Sequence, residues 1–180
     1  MRANWSRELT ARSRLALQVG REYQDSADEF RGDALDGLRF TETGRRGFTA
    51  DPLVGSFGSI VYTLGRERAT FRLGGRYQRD RYETDLLRDR DVVRLFGSVD
   101  YRLTSVTTIG FNTQLAREDF VRLPEGKVDE LELTFRLARR LARQLDLAFA
   151  YTYRERSADI GRNYEENRLR LELVWTPTRR

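Results

Sequence analysis

The sequence predicts an all-β chain, an antiparallel up-and-down transmembrane β-barrel with eight to nine strands present. Three observations carry the expectation. Segments with a period of two recur along most of the chain, and very short and longer connections alternate between them. Aromatic side chains gather at the segment ends, as they do at the two membrane interfaces. One face of each ribbon is large and apolar and the other is small, polar or charged.

Each element follows from that alternation. Residues 3–8 form a strand stub ahead of a tight connection at 9–12. Residues 13–24 set Leu15, Leu17, Val19 and Tyr23 against Arg14, Ala16, Gln18, Gly20 and Glu22. Arg21 interrupts the apolar row near its end, where a long side chain can snorkel. Residues 55–64 carry Ile60, Tyr62 and Leu64, and residues 69–82 oppose Phe71, Leu73 and Tyr77 to Arg72, Arg76 and Gln78. Residues 92–103 oppose Leu95, Val99, Tyr101 and Leu103 to Arg94, Ser98, Asp100 and Arg102. Residues 107–119 place Ile109, Phe111 and Leu115 on the apolar side, and 128–138 do so with Leu131, Leu133, Phe135 and Leu137. Residues 143–155 and 164–176 close the series, with Leu147, Phe149, Tyr151 and Tyr153, then Leu169, Leu171, Leu173 and Trp175.

The least decided stretch is 137–145, where Leu137, Leu141 and Leu145 recur at helical spacing. Clean alternation on both flanks favours strand, turn, strand, with the turn at 139–142. The other short connections fall at 65–68 and 104–106, and the longer ones at 25–51, 83–91, 121–126 and 156–163. Barrels in outer membranes have tight periplasmic turns and longer extracellular loops, so that orientation is expected here.

Composition sets bounds. At 180 residues the chain suits one domain, 1–180, and its net charge is +5. The mean hydropathy of -0.67 suits a barrel, because alternation keeps the average low while one face stays greasy. Met1 to Asn4 run straight into polar sequence, so the chain is expected to be a mature form or a piece of something longer. There is no histidine and no cysteine, which rules out a Ser-His-Asp triad, a Cys-His pair and an ordinary zinc site. No enzyme activity, cofactor or metal is expected. Glu130 with Glu132 or Glu172 supplies a carboxylate pair for glycosidic chemistry, but adjacent charged strands explain those residues equally well. Asp25, Asp28, Glu29 and Asp33 lack EF-hand spacing and read as a solvated loop. The arginines are interleaved with acids and form no basic stripe, so nucleic acid is not an expected partner.

The residues expected to line a lumen are Arg72, Arg76, Arg94, Asp100, Arg102, Glu130, Glu132, Arg136, Asp146, Arg154, Arg168, Arg170 and Glu172. They admit two readings: a water-filled selective pore, or cross-strand ion pairs filling a narrow interior. Strand number decides between them, since eight strands leave room only for side chains and about 16 open a channel. The membrane-interface aromatics are expected to be Trp5, Tyr23, Tyr82, Tyr101, Phe120, Tyr153 and Trp175. The partner is then the lipid bilayer of a Gram-negative outer membrane.

Leu9-Thr10 followed by Leu15 and Leu17, and Leu103-Thr104 followed by Ile109 and Phe111, form a hairpin-scale repeat. With the strand end Tyr101-Arg102-Leu103-Thr104 and the closing Tyr164 to Leu173, the chain resembles beta-barrel porin 2 type proteins, including barrels associated with exosortase and exopolysaccharide export. The resemblance spans most of the chain and implies the C-terminal part of a larger barrel, with polysaccharide or a small solute as cargo. One departure is the ending Trp175-Thr176-Pro177-Thr178-Arg179-Arg180, where many outer-membrane barrels end on phenylalanine. Beside a porin-like channel stand two other readings: a small closed barrel acting as anchor or adhesin, and a soluble β-barrel carrier.

Overall fold

Alternation becomes pairing in the computed structural model, which describes residues 1–24, 53–83, 85–122, 126–159 and 162–175. The strands are β1 (Arg2–Thr10), β2 (Ser13–Gln24), β3 (Leu53–Gly65), β4 (Ala69–Tyr82), β5 (Arg90–Arg102), β6 (Thr107–Phe120), β7 (Lys127–Ala142), β8 (Leu145–Ala158) and β9 (Tyr164–Trp175). They form one nine-stranded antiparallel sheet in sequence order. This is the up-and-down topology. The acidic loop at 25–36 lies outside the described residues.

From β2 onward each strand holds 12 to 16 residues. At about 3.3 Å per residue and a tilt near 45°, such lengths rise about 30 Å, enough to cross a hydrocarbon layer. Among the described residues β1 pairs only with β2 and β9 only with β8, so the sheet has two open edges.

Burial is inverted relative to a water-soluble sheet. Leu73 is 66% exposed and Leu171 71%, whereas Asp80 is 0% and Arg90 9% exposed. Val92, Ala116 and Val128 are the buried apolar residues among those described. Asp80 is buried on the polar face between the Arg90 guanidinium and the Gln78 amide. The other face presents exposed leucine, valine and aromatic side chains on strand after strand, far beyond the apolar patches tolerated in water.

Two glycines let large inward rings lie flat on the sheet. A Cβ on Gly20 would sit 2.7 Å from the Phe57 ring, and one on Gly74 would overlap Phe96 and come within 2.6 Å of the Ile60 carbonyl. Phe57 and Phe96 therefore occupy the polar face, packed on strand backbone that has no side chain there.

The short connections explain the Leu-Thr repeat. Ala11 and Arg12 alone link β1 to β2, and the Arg12 amide donates to Thr10 Oγ1 at 3.3 Å. Between β5 and β6 the Val106 amide donates to Thr104 Oγ1 at 3.2 Å, the same two-residue step. In both turns the threonine hydroxyl supplies an acceptor for an amide outside the ladder. At β7–β8 the expected turn at 139–142 moves: β7 runs on to Ala142 and the turn is Arg143–Gln144. The reason is a bulge between Arg140 and Ala142, matched by one between Glu8 and Thr10. Each bulge adds one unpaired residue, Leu141 or Leu9, and so lengthens its strand beyond the point where strict alternation ends.

On the opposite rim Asp89, 5% exposed, ties three elements together. Its Oδ1 accepts from the Tyr82 amide at 2.9 Å, its carbonyl accepts from the Val121 amide at 2.9 Å, and Arg122 lies 3.8 Å from Oδ2. A single 3-10 turn, Leu86–Arg88, precedes it, capped by Asp85.

Candidate functional site

Continuous register lets rows be traced across the polar face. One row runs Asn4, Gln18, Ser59, Arg76, Arg94, Ala116, Glu130, Arg156 and Tyr164. The next row toward the short turns runs through Gly74, Phe96, Gln114, Glu132, Arg154 and Glu166. By this register Arg72, Arg76, Arg94, Asp100, Arg102, Glu130, Glu132, Arg136, Asp146, Arg154, Arg168, Arg170 and Glu172 share one face of the sheet.

Toward the long loops that face is a belt of ion pairs. Arg90 Nε lies 3.1 Å from Asp80 Oδ2, and its Nη1 lies 3.1 Å from Glu118 Oε2. Gln78 Nε2 donates to the other Asp80 oxygen at 2.7 Å. Arg154 Nε donates to Glu132 at 3.2 Å, Arg156 lies 3.4 Å from Glu130, and Arg2 Nε donates to Glu22 at 2.8 Å. The Arg76 guanidinium stacks 4.6 Å from the Phe57 ring centroid. Burying Asp80 without Arg90 would leave a charge out of water with nothing opposite it, so the triad is self-consistent only as a whole.

Toward the short turns the pattern changes. Arg140–Asp146 at 3.4 Å and Arg170–Glu172 at 3.1 Å are surface pairs, and Arg168 pairs with Glu166 at 2.8 Å on its own strand. Arg72, Arg102 and Arg136 are exposed and make no ion pair among the described residues. Small residues share the rows of Arg102 and Arg136: Ala138 and Ala148 in the first, Gly110 and Ala150 in the second. The carboxylates weighed for glycosidic chemistry are engaged, Glu130 with Arg156, Glu132 with Arg154 and Glu172 with Arg170.

The aromatic residues divide. Trp5, Tyr23, Tyr101 and Trp175 are exposed on the apolar face, and register puts Tyr153 there too. Tyr82 and Phe120 do not join them. They pair with Leu53 and Arg90 respectively, in the rows of the polar face. Both positions are even-numbered on strands whose outward residues are odd, so parity was a signal that position at the strand end obscured. Even parity likewise places Phe96, Arg90 and Glu118 inward, and odd parity does so for Phe57 on β3, where the outward residues are even; none of the four is singled out from sequence. On the outward face the apolar field stops at a polar border, where Asp91 accepts from Tyr77 Oη at 3.0 Å and from Arg81 at 2.7 Å, and Arg117 binds Asp129 at 2.7 Å.

No family model matches the chain, and no curated protein does. Solved structures do. The chain is similar to OmpT, an outer-membrane protein of Vibrio cholerae, with a TM-score of 0.59 and 16% identity over 93% of this chain and 63% of that one. A loop L8 deletion mutant of OmpT gives 0.62 with 9% identity, covering 82% and 45% of the two chains. The outer-membrane channel DcaP of Acinetobacter baumannii gives 0.50 with 11% identity, over 97% and 61%. The chain thus spans about half to two thirds of the length of these structures, and its fold is that of an outer-membrane β-barrel.

Proposed function

We propose that the nine strands form part of a larger outer-membrane barrel, one domain whose apolar face meets lipid and whose charged face lines a porin-like lumen. The observation that carries this reading is the inverted burial, with Leu73 and Leu171 exposed while Asp80 and Arg90 are buried. Short turns are periplasmic and long loops extracellular in this reading, and Trp5, Tyr23, Tyr101, Tyr153 and Trp175 sit at the headgroup levels. Unpaired sheet edges are costly in hydrocarbon, which favours completion by further strands. The resemblance to beta-barrel porin 2 type proteins supports a polysaccharide or a small solute as cargo, and the chemistry is passage rather than catalysis. Planar bilayer recording on the full chain tests it: stepwise openings support a channel, and a silent bilayer at saturating protein rejects it.

A second reading has its own observation. The Asp80–Arg90–Glu118 triad and the Glu132–Arg154 pair fill the face with matched charges, as a closed, ion-paired anchor or adhesin requires. Silence in the bilayer together with stable insertion into vesicles selects it.

A further inference from the structure

We propose that the short-turn half of the charged face is a binding site for oxyanions, the carboxylate or phosphate groups of a solute, held by Arg72, Arg102 and Arg136. This rests on the lumen reading only for the route by which the solute arrives. The three arginines come from β4, β5 and β7, on one face by register. Arg102 and Arg136 are two strands apart, about 10 Å in the hydrogen-bonding direction. None has an ion pair among the described residues, whereas Arg90, Arg154 and Arg156 in the loop half are matched to acids.

One carboxylate shares the patch. Asp100 lies over Gly110, its Oδ1 only 2.9 Å from where a Cβ would stand, and it makes no ion pair with the three among the described residues. Three guanidinium groups against one acid leave the patch positive. Like charges within about a Debye length repel, and a bound oxyanion removes that cost while accepting the planar, forked donors. Space for it exists because the positions between Arg102 and Arg136 on β6 are Thr108 and Gly110, with Ala138 next to them on β7. A row of valines or leucines there would fill the same volume with methyl groups. Charge without a partner, over a floor of small side chains, is the combination a ligand site needs and an ion-paired wall lacks.

Titration calorimetry of the full chain in detergent, with inorganic pyrophosphate as the probe, tests the site. Saturable binding is expected, weakened at least tenfold in Arg72→Gln/Arg102→Gln/Arg136→Gln and unchanged in Arg79→Gln on the outward face. Arg136→Lys, which keeps the charge, should retain most of the binding and guards against loss of fold in the triple variant. Absence of saturable heat in the native chain, or equal binding by the triple variant, overturns the proposal. Bilayer recording separates the two ideas: openings without pyrophosphate binding sink this site and spare the channel, and binding without openings does the reverse.

Discussion

The two halves of the charged face are built from the same residue types and organised in opposite ways. In the loop half, arginine meets acid at hydrogen-bonding distance: Arg90 between Asp80 and Glu118, Arg154 on Glu132, Arg156 on Glu130. In the turn half, Arg72, Arg102 and Arg136 stand over small residues without such partners among the described residues. The difference teaches that arginine content alone does not define the chemistry of a charged face. A paired arginine is part of the wall; an unpaired one is available to solute.

Substitutions can break this contrast, and the largest effect belongs to the buried triad. Arg90→Met should destabilise by about 3–5 kcal/mol, because it leaves Asp80 buried with no cation opposite. Denaturant titration in lipid vesicles, read by tryptophan fluorescence from Trp5 and Trp175, measures it. Glu132→Gln removes only one half-buried acid and should cost about 1–3 kcal/mol in the same titration, since Arg154 loses its carboxylate but keeps a neutral acceptor. Ala138→Leu sharpens the comparison from the other side. It fills the floor of the turn half, so pyrophosphate affinity should fall severalfold while the denaturation midpoint holds. Smallest of all is Arg136→Gln, expected to shift stability by less than about 0.5 kcal/mol because no partner is stranded. A large loss there would show that the turn half is paired after all.

The fold was legible because alternation over a dozen residues is a strong signal: residues 13–24 and 69–82 could be read directly as strands. What escaped has identifiable causes. The bulges at Leu9 and Leu141 insert a residue that periodicity cannot announce, which is why the second turn falls at Arg143–Gln144 rather than earlier. Tyr82 and Phe120 lie near strand ends, where interface aromatics gather, but their parity with Gln78, Asp80 and Glu118 points inward. The charged face could be assembled from sequence residue by residue, yet its division into paired and unpaired halves could not. Pairing depends on register between strands, and register is set by turn length and bulges that only the folded sheet discloses.

Strand order in strict sequence has a kinetic consequence. Among the described residues every strand hydrogen-bonds only to its predecessor and its successor, so the sheet can grow one hairpin at a time with a single advancing edge. At each step only the first strand and the newest ribbon have a bare edge of amides and carbonyls, while the strands between them are already paired. A chain wired in this order would enter lipid with no more than two strand edges of polar backbone unpaired at once, however many strands it has laid down.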